Sequence, residues 1–256
     1  MFVKRRTTFF FLASLCAFVA LIITGIAVAT SHWTEAKLER DLTGLVNATL
    51  TLKGFYGTNP HDADDPGAFF GRSYFGLFQG CKKFNYGLGG RSWVCFKVFS
   101  EHKDVYSIGY PIACFIFLIV AIIFALVSTI FGLVNTLTVP IETIHGVMGL
   151  YLWNAVGAAA TLIAWVLYLV LYLSQLTRNV LNKEDMDSPS NFRTSSVNFG
   201  FSFWLVVVSF FLFLFNILFV FLAHLLQDPN FLRNNKKKES EIAKGSGNTV
   251  GLGLMY

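Results

Sequence analysis

Charge is missing from four long stretches of this chain, and that gap limits the fold more than any motif does. Residues 7–34, 105–141, 143–177 and 194–227 contain no Asp, Glu, Lys or Arg. They make up 134 of the 256 residues, so all 35 charged side chains fall in the remainder. Charged residues are 14% of the chain, and at that frequency roughly nineteen would be expected in these stretches. About 20 apolar residues of helix cross a bilayer core. Each stretch, at 28 to 37 residues, is long enough for one crossing and too short for two. The pattern predicts a mainly α membrane protein, a bundle of four transmembrane helices, and it excludes a soluble enzyme or a nucleic-acid-binding domain. The net charge of +5 is therefore no sign of a nucleic-acid partner.

The helices are expected at 9–30, 112–135, 147–173 and 201–225. Lys4, Arg5 and Arg6 precede the first, and Arg233, Lys236, Lys237 and Lys238 follow the fourth. Basic residues close to helix ends stay in the cytoplasm, so residues 1–8 and the tail 226–256 are both assigned there, with a short cytoplasmic loop at 136–146. Residues 31–111 and a second loop at 174–200 then lie outside. The basic residues of 31–111 do not count in this vote, because long segments escape the rule. Ala27-Val28-Ala29 has the form of a signal-peptide cleavage site, but the apolar run 9–29 exceeds the 7–15 residues of a signal core. A retained helix is expected.

Polar and small residues within the spans carry the next layer of information. Pro111 opens the second helix, where a missing N–H costs least, and Pro140 ends it. Glu142 and His145 have an i, i+3 spacing used in carboxylate–histidine metal sites. One such pair is an incomplete ligand set, so no metal is expected. Gly149 and Gly157, with Gly146 and Ala158-Ala159-Ala160, would let a neighbouring backbone approach the third helix closely. Asn154 on that helix and Asn216 on the fourth should find partners inside the bundle, since an amide facing lipid is costly. Spans without ionisable residues argue against a proton relay or voltage sensor. Cys16 and Cys114 read as packing residues.

The segment 31–111 reads as a folded antiparallel β module. Residues 45–53 alternate between apolar and polar, which predicts a half-buried strand with Asn47 on its wet side. Asn47-Ala48-Thr49 is the chain's one glycosylation sequon. Further strands are expected at 72–79 and 91–99, joined by the turn Tyr86-Gly87-Leu88-Gly89-Gly90. Cys81 and Cys95 flank that turn in an oxidising compartment. Bridging them would close a 15-residue loop, worth about 3 kcal/mol on the chain-entropy estimate. His61-Asp62-Ala63-Asp64-Asp65-Pro66-Gly67 reads as a solvated acidic turn, because no calcium ligand ladder is complete.

Trp33, Gly76-Leu77-Phe78, Cys81 and Cys95 together resemble the claudin-type signature of Trp, Gly-Leu-Trp, Cys and Cys. In that superfamily the strands pack on a left-handed four-helix bundle and the cysteines pin a hairpin. Phe78 stands here in place of the usual Trp, and the loop is longer than a claudin's. The chain resembles the clarin family more closely. The matching blocks are Leu45-Val46-Asn47-Ala48-Thr49, Phe75-Gly76-Leu77-Phe78 with Gly80-Cys81, and Gly87-Leu88-Gly89-Gly90-Arg91. They continue in Glu142-Thr143-Ile144-His145-Gly146, Gly149-Leu150-Tyr151-Leu152-Trp153-Asn154, Ser202-Phe203-Trp204 and the terminal Leu254-Met255-Tyr256. Tyr86 departs from the pattern, since some clarins carry Cys there; a bridge in this chain must use Cys95, as in claudins.

The resemblance implies a non-enzymatic plasma-membrane protein of sensory cells, linked to hair-bundle mechanotransduction, ribbon synapses and the actin-rich cortex. Three functions compete: an adaptor or auxiliary subunit, a claudin-like junction former, and a channel. A glycan at Asn47 would obstruct the close packing a junction needs, and uncharged spans disfavour the channel. No catalytic motif is present, and no cofactor is expected. The expected partners are membrane lipids and other membrane proteins, with homo-oligomerisation left open. Lys236, Lys237 and Lys238 suit an anionic inner leaflet. Leu254 and Tyr256 place apolar side chains at the last position and two before it, the pattern a PDZ-type scaffold would capture by strand addition.

Overall fold

In the computed structural model, which describes residues 2–40, 70–85, 92–101, 105–137, 146–187 and 191–227, the four uncharged stretches form long helices. These are α1 (Phe2–Ala29), α3 (Gly109–Leu137), α4 (Val147–Leu171) and α6 (Phe201–Gln227). Two single turns, α2 (Val98–Glu101) and α5 (Lys183–Met186), complete the chain-order numbering. A π-helical turn at Tyr172–Leu176 prolongs α4. The apolar parts of the four long helices are 23 to 30 residues, about 35–45 Å at 1.5 Å per residue, which exceeds the roughly 30 Å hydrocarbon core.

The packing is that of helices in lipid. On α1 the bundle-facing stripe beyond the buried Phe10 is small or polar: Ala13, Ser14, Ala17, Ala20, Thr24 and Ala27 are all buried. Phe11, Leu15, Phe18, Ile22 and Ile26, one helix face, are 45–50% exposed. Small residues inside bring backbones close where no hydrophobic force drives helices together. An exposed apolar stripe of that length would be a liability in water and is the surface a bilayer covers. This is a multi-pass membrane protein. The helices alternate in direction, and α1 and α4 each pack between α3 and α6.

The strands form one five-stranded antiparallel sheet in the order β4-β3-β2-β1-β5. They are β1 (Thr34–Arg40), β2 (Phe70–Phe75), β3 (Gln79–Phe84), β4 (Val94–Lys97) and β5 (Phe192–Phe199). The strand expected across 72–79 is in fact divided. Gly76 to Phe78 make a tight turn, with the Gly76 N–H donating to the Gln79 carbonyl at 2.9 Å, so Gln79 begins β3 rather than ending β2. β1 is an additional strand. β5 lies in the segment assigned as a separate second loop and pairs with β1 along its length, so the two loops build a single sheet. The strand expected at 45–53 lies outside the described residues, as do the turn 86–90, Asn47, Glu142, His145 and the tail.

All five strands sit at the end of the bundle where α1 and α4 finish and α3 and α6 begin. One cluster of buried side chains joins the two layers: Leu38, Phe75 and Phe192 from the sheet pack with Tyr106, Tyr168, Leu171 and Phe203 below. Sheet and bundle share a core.

Candidate functional site

The junction between sheet and bundle is built around Trp33, four residues beyond the end of α1. Helix C-termini leave carbonyls without intrahelical partners, and the Trp33 indole Nε1 donates to one of them, Ala27 O, at 2.8 Å. The Trp33 backbone is equally committed. Its N–H donates to Phe75 O of β2 at 3.1 Å, and its carbonyl accepts the Gly200 N–H at 2.9 Å. The fully buried ring lies against Tyr168 of α4, centroids 4.7 Å apart. The Tyr168 hydroxyl in turn bonds the Thr34 hydroxyl at 2.7 Å. A single residue thus ties α1, β2, the β5–α6 corner and α4.

Two glycines permit this crowding. A side chain at Gly76 would stand 2.6 Å from Thr30 O and 2.8 Å from Ser31 Cα. One at Gly200 would run into the His32 carbonyl. Gly76 belongs to the signature read from the sequence; Gly200, Tyr168 and Thr34 do not.

The rest of the signature lies alongside. Leu77 is buried, and Phe78 stands edge-on to Phe115 of α3 at 4.8 Å and to Phe99 of α2 at 5.9 Å. The Phe78 carbonyl accepts the Val98 N–H at 2.8 Å. Phe78 therefore wedges the β2–β3 turn against the start of α3. An open depression of about 440 Å³ beside it is lined by Phe78, Gln79, Lys97, Phe99 and Ser100. Tyr106 is buried nearby, and burial pushes its phenol pKa up, so it stays neutral.

Cys81 and Cys95 are directly paired across β3 and β4 and form a disulfide, S–S 2.07 Å. One residue further, Lys82 turns to the sheet's inner face. Its ammonium meets the Asp185 carboxylate at 2.8 Å and lies 5.4 Å from the Phe96 ring centroid. Both side chains of the ion pair are only 13–14% exposed. Asn182 caps α5 by accepting the Asp185 N–H at 3.1 Å. The two residues are 103 positions apart, and no pattern in the sequence joins them.

Inside the bundle, Gly157 receives the Phe213 ring of α6 so closely that a Cβ would stand 2.7 Å from its Cζ. Gly149 is buried on the same helix. Both asparagines are buried in the bundle and donate there, but only one reaches another helix. Asn154 donates to Leu150 O of its own helix at 2.7 Å, not to a neighbouring helix. Asn216 donates to Ser128 Oγ of α3 at 3.4 Å. Backbone oxygens one turn back are within easy reach of a short amide, which competes with interhelical bonding. Among the described residues no three His, Cys, Asp or Glu side chains form a metal-binding group.

A Clarin-2-like family model matches residues 5–220. Clarin-2 of Mus musculus is 28% identical over 202 residues, covering 77% of this chain and 79% of that protein. Clarin-1 of Mus musculus is 26% identical over 256 residues, covering 99% of each. Clarin-2 of Homo sapiens is 27% identical over 199 residues, 77% of this chain and 79% of that one. The match spans α1, the whole sheet and most of α6, so the chain belongs to the Clarin-2-like family.

Proposed function

We propose that this protein is a non-enzymatic adaptor or auxiliary subunit of the plasma membrane. It holds a rigid sheet outside the cell and presents its basic amino-terminal segment and tail to the cytoplasm. The observation that carries this reading is the shared core of sheet and bundle around Trp33. A sheet fused to the bundle by backbone bonds and a shared core, and braced by a disulfide between β3 and β4 and by a partly buried ion pair, can transmit position between a partner outside and the membrane. By kinship with the clarins, the complexes it organises are those of sensory cells: hair-bundle mechanotransduction, the ribbon synapse and the actin-linked cortex. A glycan at Asn47 would keep the outer surface from packing against an opposing cell.

The test is purification from native sensory tissue in mild detergent, with mass spectrometry of co-purifying proteins, alongside imaging of tagged protein in cells that lack junctions. The adaptor reading expects membrane or cortical partners in stable yield and a diffuse surface signal. Continuous strands confined to cell contacts would replace it with a claudin-like junction function.

A further inference from the structure

The depression beside Phe78 lies where the sheet meets the membrane. A hydrocarbon core of roughly 30 Å takes about 20 residues of helix. Centred on the 29 residues of α3, that core begins about four or five residues after Gly109. Phe115, the α3 residue that Phe78 meets edge-on at 4.8 Å, is therefore at its edge. Ile112 and Ile116 flank Phe115 on the same helix, are 45% and 54% exposed, and belong to the lipid-facing surface. The depression adjoins that surface.

Its lining divides by chemistry. Phe78 and Phe99 supply aromatic walls, and Phe99 keeps 37% of its surface exposed. Gln79 of β3 and Lys97 of β4 stand directly opposite each other, both exposed, which sets an amide and an ammonium side by side on the rim. The Ser100 hydroxyl donates to the Lys97 carbonyl at 3.0 Å and completes that rim. Apolar walls with a few polar groups are the usual make-up of a ligand site, and about 440 Å³ is within the usual size range of one.

We propose that this depression holds one phospholipid of the leaflet on the sheet side. The first acyl carbons rest against Phe78 and Phe99, and the phosphate is held by Lys97 and Gln79. A phosphodiester presents acceptors only, and the ammonium and the amide NH2 are donors. Acyl chains leaving the depression continue along Ile112 and Ile116, which already face lipid. A sterol is the poorer fit, because its single hydroxyl would use one donor of the two. A water-soluble phosphate ester is poorer still, because it leaves both rings uncovered. A leaflet covers each end of the bundle, so this site is independent of the sidedness proposed above.

The experiment is native mass spectrometry of the full chain in detergent, titrated with palmitoyl-oleoyl-phosphatidylcholine, with thermal unfolding as a check on folding. The unmodified chain should bind one lipid more tightly than any further ones. Lys97→Gln/Phe99→Ser should weaken that first binding by at least about tenfold, the size of one charge-assisted hydrogen bond. Ser100→Trp, which fills the depression from its exposed rim, should weaken it as much. Ile123→Ala, at a lipid-facing position in the middle of α3, should leave it unchanged. Neither glycerophosphocholine nor cholesterol should displace the lipid at equal concentration. The absence of a distinct first lipid, an unchanged affinity in the Lys97→Gln/Phe99→Ser variant, or displacement by either competitor would each overturn the proposal. So would a dimer of the unmodified chain that the same substitutions dissociate, since the depression would then be occupied by a second copy. If the double variant does not fold, Ser100→Trp decides alone, and unchanged binding there would overturn the site equally.

Discussion

The indole of Trp33 closes the C-terminus of α1 by donating to the Ala27 carbonyl at 2.8 Å, from a position six residues further along the chain. The helix therefore ends on a side chain that belongs to the sheet layer, and neither can move without the other. Trp33→Phe keeps most of the apolar contact with Tyr168 and removes only the donor. It should destabilise the protein by about 1–2 kcal/mol, because the Thr30 hydroxyl, 3.3 Å from the same carbonyl, is a poorer replacement. Thermal unfolding in detergent measures this, and an unchanged midpoint would mean that the indole N–H is not a structural bond.

At the middle of the bundle the Gly157–Phe213 contact makes a reciprocal prediction. Gly157→Ala places a methyl against the ring, an overpacking change that costs about 1–3 kcal/mol. Phe213→Leu should cost less in the Gly157→Ala background than in the unmodified chain, since the shorter side chain makes room. A double-mutant cycle on unfolding free energy reads the coupling. Strict additivity would show that the two residues do not touch.

The ion pair between Lys82 and Asp185 spans the sheet and the α4–β5 connection. Lys82→Met should destabilise by about 1–3 kcal/mol by leaving a mostly buried carboxylate without its cation. Lys82→Met/Asp185→Leu should recover part of that loss. Limited proteolysis between residues 177 and 191 is the direct readout, with faster cutting expected in the single variant than in the double. Equal cutting rates would remove the pair's role in holding that connection.

Much of this architecture could be read in the residues, and the exceptions have physical causes. The four helices were legible because absence of charge over about 20 residues has one cheap explanation. β1 was not, because Thr34–Arg40 carries four charges in seven residues and, of its core-facing residues Thr34, Ala36 and Leu38, only two are apolar. Strand formation there depends on β2 and β5, which are distant in sequence. Residues 72–79 read as one strand because Phe75, Leu77 and Phe78 are all apolar, and the turn follows from the close approach of Thr30 to Gly76. Trp33 and Gly76 were picked out by family resemblance, whereas their reason, a backbone junction too tight for another side chain, is visible only in three dimensions. Lys82 and Asp185 carry no pattern that joins them.

The Cys81–Cys95 bond makes a chemical prediction. With both thiols bridged, neither should be alkylated on intact cells without reductant, and Cys81→Ser should expose Cys95 to the reagent. The bridge closes a 15-residue loop, so its loss should cost about 3 kcal/mol and reduce surface delivery. Labelling of both cysteines in the unmodified chain would contradict the paired state in the cell.

In the proposed orientation, the sheet fused to the bundle through Trp33 stands outside the cell. Asn47, in the segment between β1 and β2, carries the chain's one sequon, so a glycan can be added only if that end of the bundle enters the secretory lumen. Endoglycosidase treatment of protein from glycosylating cells tests this most directly. A drop in apparent mass is expected for the unmodified chain and none for Asn47→Gln. An unmodified chain that does not shift, or a variant that still does, would contradict it.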